Sequence, residues 1–164
     1  MKPVTLSVEI AAAPSVVWNA IADFRGAAGR IPAIKSVEVL EGPERGVGMR
    51  WRETRTMFGR DATETMTIAE WREPARPGDE CSYLATAVNH GCEYRSTLRV
   101  APSGVGSRLS FEFDCRARTL VAKVMSAVMM PLMGGAMRKA IQGDLDAIKI
   151  HCERVASSAP GVMA

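Results

Sequence analysis

The fold is decided by residues 92–117, which read CEYRSTLRVAPSGVGSRLSFEFDCRA. On both sides of the Pro102-Ser103-Gly104 stretch, apolar or small side chains occupy every second position. The two alternating faces consist of Cys92, Tyr94, Ser96, Leu98 and Val100, and then of Leu109, Phe111, Phe113 and Cys115. A period of two residues is typical of a strand with one buried face, and a connection this short joins antiparallel strands. The stretch therefore predicts a β-hairpin.

Four more strands are predicted before this hairpin, at about 34–41, 47–57, 61–73 and 80–88. The gaps between them contain turn residues such as Gly and Pro, and short gaps of this kind indicate an antiparallel meander. A first strand is predicted at 4–10, where Val, Leu and Ile alternate with polar residues. Together these segments predict a seven-stranded antiparallel sheet.

Helices are predicted between the first and second strands. Pro14 suits the first position of a helix, because its missing N–H would have no partner there. Apolar residues then recur on one face as far as Phe24. A second, short helical turn is expected at about 27–31, ended by Pro32.

A long helix is predicted in the C-terminal region. Its apolar stripe consists of Met137, Ile141, Leu145, Ile148, Cys152 and Val155. Farther upstream, Pro131 and Gly134-Gly135 predict either a kink or a short break, because proline removes a backbone donor and glycine loosens the turn. We expect one domain over residues 1–155 and a frayed tail over residues 156–164.

This order of elements predicts an α+β fold in which the sheet curves around the last helix. A sheet must bury one face, and the C-terminal helix is the only predicted element large enough to cover it. One helix cannot cover seven strands tightly, so a hollow is expected between the sheet and the helix.

Composition and charge exclude several classes of function. The chain has 164 residues, 47% of them hydrophobic and 24% charged, which is typical of one globular domain. The formal net charge is only +3 and the basic residues are scattered, so no nucleic-acid partner is expected. No stretch reaches the roughly 18 uninterrupted apolar residues of a membrane helix, so no stable membrane insertion is expected.

The cysteines and histidines predict neither disulfides nor a metal centre. The four cysteines contain no CxxC pair and follow no secretory signal, which favours a reducing, cytoplasmic location. The two histidines, His90 and His151, belong to no metal-binding motif. We expect no metal and no cofactor.

Several local stretches resemble the START-like (SRPBCC) superfamily, whose helix-grip fold includes polyketide cyclase/dehydrase-like proteins. The resembling stretches are IAAAPSVVW at 10–18, Asp23-Phe24, IPAI at 31–34 with SVEV at 36–39, Gly46-Val47-Gly48, the region from Glu64 to EWREP at 70–74, and LDAIK at 145–149. The similarity covers about residues 3–155. It implies an apolar ligand held between the sheet and the long helix.

Alternation along the strands and the helix predicts the side chains that line this cavity. The candidates are Trp51, Glu53, Arg55, Met66, Tyr83, Tyr94, Phe111, Phe113, Met125, Met129 and Met133. Methionine is flexible and polarizable, so a Met-rich wall can adapt to ligands of several shapes. The register of strand 47–57 is left open, because a slip by one residue would turn Arg50, Arg52 and Thr54 inward and place Glu53 in water.

Three functions are compatible with these observations. The first is binding or transport of a small hydrophobic, lipid- or polyketide-like molecule. The second is a polyketide cyclase/dehydratase-type enzyme that uses Glu53, Glu64, Tyr83 or Tyr94 as acid and base, with no catalytic assignment made. The third is a protein-interaction module whose apolar groove receives a partner helix or whose Met-rich segment packs on a second subunit, which leaves a homodimer open.

Overall fold

The computed structural model describes residues 3–57, 59–89 and 91–158, with the side chains of the last helix described from residue 134 onward. The strands are β1 (Val4–Ile10), β2 (Ile34–Val39), β3 (Arg50–Met57), β4 (Arg60–Arg72), β5 (Cys81–Asn89), β6 (Cys92–Ser103) and β7 (Gly106–Ala117). The helices are α1 (Pro14–Ala22), α2 (Ala27–Arg30) and α3 (Leu120–Ser158). The expected α+β helix-grip architecture is confirmed, with a curved sheet and a long C-terminal helix.

The seven strands form one antiparallel sheet in the order β1-β7-β6-β5-β4-β3-β2. Strands β2 to β7 follow each other as a meander, as their short connections predicted. Strand β1 pairs with β7, so β1 and β2 lie at opposite edges of the sheet. The segment that contains α1 and α2 must therefore cross from one edge to the other.

The register of β3 is the one that turns Glu53 inward. Trp51 pairs with Met66 and Glu53 with Glu64 on the neighbouring strand β4. Trp51 is 3% exposed and Glu53 is 8% exposed. The alternating residues Arg50 and Arg52 are exposed, which excludes the alternative register.

A β-bulge in β4 brings Trp71 to the inner face of the sheet. Ile68 pairs with Ala85, but after the irregularity between Ile68 and Glu70 the pairing resumes with Trp71 opposite Tyr83. A bulge adds one unpaired residue, so two residues three positions apart point to the same side. Simple alternation along 61–73 could not reveal this change of face.

Helix α3 is continuous for 39 residues, through Pro131 and Gly134-Gly135. Of the two alternatives predicted here, a kink or a short break, the short break is excluded, because a helix can continue past a proline that costs it one hydrogen bond. The helix also extends to Ser158, inside the segment expected to be a frayed tail, while residues 159–164 lie outside the described residues.

The C-terminal half of α3 packs into the hydrophobic core. Ile141, Leu145, Ile148 and Cys152 are all buried and belong to the same cluster as residues of α1 and the sheet. Lys149 Nζ donates to the backbone oxygen of Glu9 at 2.7 Å, and the Ala11 backbone N–H donates to Glu153 at 2.9 Å. These contacts fix this part of α3 against the end of β1.

Candidate functional site

Five aromatic side chains from α1, its C-terminal flank and the sheet form one cluster: Trp18, Phe24, Trp51, Trp71 and Tyr83. The ring centroids of Phe24 and Trp51 are 4.4 Å apart, and those of Trp18 and Trp71 are 4.9 Å apart. Tyr83 and Trp71 stack at 5.9 Å. Helix α1 contributes Trp18, and the β-bulge in β4 brings Trp71 to the same cluster.

Glu53 lies beside the aromatic cluster, on the inner face of β3. Its contacts with described residues are long: Trp51 Nε1–H donates to Oε2 at 3.5 Å, and Arg55 reaches Oε1 at 3.8 Å. Burial raises the pKa of Glu53, and the nearby Asp144 and Glu64 carboxyls raise it further, against the lowering effect of Arg55 and Trp51. The protein environment therefore shifts Glu53 toward its protonated form, relative to an exposed glutamate.

Arg55 joins the sheet to α3 through an ion pair with Asp144, whose Oδ2 lies 2.6 Å from the guanidinium. Both side chains are about four-fifths buried, with exposures of 20% and 19%. Burial raises the pKa of Asp144, and this effect outweighs the opposing effect of Arg55. The pair fixes Arg55 on the inner face, within reach of Glu53.

Glu64 is directly opposite Glu53 in the antiparallel pairing of β3 and β4. Directly opposed residues of two strands point to the same face, so the half-buried Glu64 side chain shares the inner face with Glu53. Two carboxyls and the Arg55–Asp144 pair thus form one polar group in an otherwise largely apolar surface.

Tyr83 brings a phenol to the same region. It is 7% exposed, and its pKa is raised by burial, with a further contribution from the charge of Glu53. The phenol is therefore neutral at physiological pH and is able both to donate and to accept a hydrogen bond.

A second group of inward side chains lies on β6 and β7. Tyr94 stacks on Phe113 with ring centroids 6.0 Å apart, and Phe111 is half-buried against the core. Burial raises the pKa of Tyr94 to about 12, with further contributions from Cys92, Cys115 and Glu64. The side chains of this second group are more exposed than most of those in the aromatic cluster.

The structure brings together many of the residues expected to line the cavity, in two groups. Trp51, Glu53, Arg55, Met66 and Tyr83 lie on β3 to β5, whereas Tyr94, Phe111 and Phe113 lie on β6 and β7. Met125, Met129 and Met133 belong to α3, but their side chains lie outside the described residues.

Asp144 is the member of the site that sequence reasoning missed. It follows the buried Ile141 by three positions and precedes the buried Ile148 by four. This spacing places a carboxyl next to the apolar stripe of α3. The signal available in the sequence was therefore a charged residue directly beside the apolar stripe of the helix.

Two structural findings concern metals and membranes. Within the part of the chain that the structure describes, no three His, Cys, Asp or Glu side chains are arranged to hold a metal ion. In the same residues, no helix combines the length and the apolar character needed to span a bilayer.

A seven-stranded antiparallel sheet that curves around a long C-terminal helix is a helix-grip fold. The sequence matches the family described as "Polyketide cyclase / dehydrase and lipid transport" over residues 1–153. The chain belongs to this family. No curated protein matches the sequence.

Solved structures show the same fold. TTHA0849 from Thermus thermophilus has a TM-score of 0.73 at 17% identity, covering 96% of this chain and all of that one. The Zhui aromatase/cyclase from Streptomyces sp. R1128 has a TM-score of 0.72 at 24% identity and 98% and 99% coverage. A START superfamily protein from Mycobacterium smegmatis has a TM-score of 0.71 at 14% identity and 93% and 98% coverage.

Proposed function

We propose that the protein binds a small, largely apolar molecule that carries polar groups, in the space between the sheet and α3. The single observation that supports this proposal is Glu53, a buried carboxyl whose hydrogen bond and ion pair to described side chains are 3.5 and 3.8 Å long. A polar group that is removed from water without a close partner is costly. A polar atom of a ligand would supply a shorter hydrogen bond than the one from Trp51.

The surroundings of Glu53 favour a ligand that is mostly hydrophobic. Aromatic rings lie on one side, and Tyr94, Phe111 and Phe113 extend the inner face on the other. Burial of apolar ligand surface contributes about 25 cal/mol per Å². Glu53, Arg55 and Tyr83 would then determine which end of the ligand enters first.

A second candidate function is cyclisation and dehydration of a polyketide-like substrate. The observation that favours it is that burial raises the pKa of both Glu53 and Tyr83, and that the charge of Glu53 acts on the Tyr83 phenol. Loss of water from a β-hydroxy ketone requires a base that takes the α-proton and an acid that protonates the departing hydroxyl, while a C=C bond forms. Glu53 and Tyr83 are the residues we propose for these roles.

Native mass spectrometry of the freshly purified protein, followed by titration with lipids, sterols and aromatic polyketides, tests both candidates. A binding protein releases each ligand with its mass unchanged, whereas a dehydratase releases a product lighter by one water. We expect binding of at least one apolar class, together with a ligand-dependent rise in melting temperature.

Two substitutions at Glu53 separate the candidates. Glu53→Leu removes the hydrogen-bonding group and is expected to weaken binding about tenfold, which corresponds to one lost hydrogen bond to an ionisable group. Glu53→Gln keeps the shape, so binding should change by only about twofold to threefold, while acid–base turnover should be lost. Glu38→Gln changes an exposed carboxyl paired with Arg52 and is the control.

Absence of binding by every apolar class would contradict the proposed function. Unchanged ligand masses together with normal binding would exclude the enzyme and leave the binding protein. The sequence leaves a homodimer open and predicts no nucleic-acid partner, and light scattering and a nucleic-acid binding assay can check these two points.

A further inference from the structure

The three tryptophans of the chain differ in what their indole N–H groups contact. Trp51 Nε1–H donates to Glu53 at 3.5 Å. Trp71 is half-buried, so part of its side chain is in contact with solvent. Trp18 is only 3% exposed, and its Nε1 is buried without a hydrogen-bond partner among the residues that the structure describes. The indole of Trp18 is therefore a donor without an acceptor.

An unpaired indole N–H in a protein core is energetically unfavourable. The indole nitrogen can only donate, and a buried tryptophan usually has an acceptor for its N–H. A buried donor without an acceptor has lost its hydrogen bonds to water and has gained none in return. The face of a neighbouring ring is a weaker acceptor than a carbonyl oxygen. An acceptor atom brought by a ligand would therefore remove an existing cost.

The rings around Trp18 determine which kind of molecule suits this donor. The ring centroid of Trp71 is 4.9 Å from that of Trp18, and the ring centroid of Tyr83 is 6.3 Å away. Aromatic neighbours favour a flat, apolar molecule that packs against their faces. A carboxylate would lose most of its hydration among these rings for a single indole donor, whereas a neutral carbonyl loses far less. The surroundings thus favour an uncharged acceptor on an aromatic ligand.

Trp71 is the most accessible member of the aromatic cluster and lies next to Trp18. It is half-buried, whereas the other four members of the cluster are buried. The guanidinium of Arg45 lies 5.3 Å from the Trp71 ring centroid and forms an ion pair with Glu73 at 2.8 Å. Both partners of this pair are about half exposed, and an exposed ion pair contributes little stability. Trp71 is therefore the side chain whose movement would uncover Trp18.

We propose that the indole N–H of Trp18 donates a hydrogen bond to a neutral carbonyl oxygen of the ligand, such as that of an aryl ketone. The inference rests on the proposed function, and it adds a binding residue together with the ligand group that this residue recognises. A ligand of the same shape that lacks an acceptor leaves the N–H unpaired. The protein therefore discriminates an aryl ketone from the matching hydrocarbon.

Acetophenone and isopropenylbenzene provide the test, because they have nearly the same shape and differ in a carbonyl oxygen that replaces a methylene group. The indole N–H signals of the full chain, labelled with ¹⁵N, are followed by NMR at pH 7 during titration with each compound. A new hydrogen bond moves the signal of the donated proton downfield. We expect the Trp18 signal to move downfield with acetophenone only. The Trp51 signal, whose N–H already donates to Glu53, should respond alike to both compounds.

Trp18→Phe tests the origin of the discrimination, because it removes the N–H and keeps an aromatic ring. The affinity for acetophenone relative to isopropenylbenzene should fall about fivefold to tenfold, which corresponds to one lost hydrogen bond. Glu38→Gln, which changes an exposed carboxyl paired with Arg52, should leave this relative affinity unchanged. Circular dichroism shows whether each variant is folded. If Trp18→Phe does not fold, the NMR titration of the unsubstituted chain decides the question.

The two compounds distinguish failure of this inference from failure of the proposed function. A Trp18 signal that responds identically to both compounds overturns the inference, and so does an unchanged relative affinity in a folded Trp18→Phe variant. Loss of the discrimination in Tyr83→Phe alone would make the phenol the donor and would also overturn it. Each of these results leaves the proposed function standing, because the compounds bind. If neither compound binds, the inference is wrong, whereas the proposed function fails only if every apolar class in the wider titration also fails to bind.

Discussion

Glu53 combines burial with proximity to two other carboxyls, and both factors act against its ionised form. Its pKa is raised by burial first and by Asp144 and Glu64 in addition. As the pH rises, the unfolded chain releases this proton near the ordinary glutamate pKa of 4.5, whereas the folded protein keeps it to a higher pH. This carboxyl is a source of instability at neutral pH in the protein without ligand.

We predict that Glu53→Gln stabilises the ligand-free protein at pH 7. Because the pKa of Glu53 is raised in the folded state, its ionisation costs no stability at a pH below the unfolded-state pKa. The cost grows as the pH rises toward the folded-state pKa and is constant above it. Removal of the charge should raise Tm by about 2–4 °C at pH 7, the shift that about 1 kcal/mol gives in a domain of this size. At pH 4 the two proteins should melt at nearly the same temperature.

Thermal unfolding followed by circular dichroism between pH 4 and pH 8 checks this prediction. Glu38→Gln is the control, because the exposed Glu38–Arg52 pair contributes little. A Glu53→Gln variant less stable than the native protein at pH 7 would show that the interaction of Glu53 with Arg55 outweighs its burial.

At the residue scale, the sequence predicted the types of side chain in the site better than their partners. Alternation identified Glu53, Arg55 and Tyr83 as candidates, because a period of two is a local property. The pairing of Arg55 with Asp144 joins residues 89 positions apart. No local pattern contains such a contact, so it became visible only with the register of the sheet against α3.

At the scale of elements, the turn between β6 and β7 depends on one glycine. Gly106 has a φ of +138°, and an added Cβ would lie 2.7 Å from the backbone oxygen of Ala12 and 2.8 Å from that of Ile10. The glycine thus permits a close approach between this turn and the end of β1. Gly104, two residues earlier, has no atom within 4 Å of an added Cβ.

We predict that Gly106→Ala destabilises the protein by about 2–4 kcal/mol, because it combines an unfavourable φ with backbone overlap. Gly104→Ala is the matched control and should change the free energy of unfolding by less than about 1 kcal/mol. Urea unfolding of both variants measures the difference. Equal stability of the two variants would show that the β1 end moves away at little cost.

Most elements were predictable from the sequence, because alternation, turn residues and helical periodicity are local signals. The predicted strand 61–73 corresponds closely to β4 (Arg60–Arg72). The bulge after Ile68 was not predictable, because it depends on how β4 pairs with β5. The continuity of α3 through Pro131 likewise could not be decided by a motif, since a proline is compatible with either a bend or an end.

At the scale of the whole molecule, the core depends on the C-terminal half of α3. Leu145 is 1% exposed and packs with residues from α1 and the sheet. Ile150, on the opposite side of the same helix, is 67% exposed. The contrast shows which face of α3 joins the layers.

We predict that Leu145→Ala lowers the free energy of unfolding by about 2–5 kcal/mol, through lost burial and the cavity it leaves. Ile150→Ala should change it by less than about 0.5 kcal/mol. Urea unfolding monitored by tryptophan fluorescence measures both values. A small effect of Leu145→Ala would mean that the sheet and α1 hold together without this half of α3.

The pairing of β1 with β7 has a consequence for biosynthesis. Val4 meets Phe113, so the first strand leaves the ribosome roughly a hundred residues before its neighbour exists. Until then the nascent chain carries an apolar segment with an unmatched edge. Pairing of β1 with β7, which completes the sheet, is therefore a late event. Strand β1 is where we expect a chaperone to be needed.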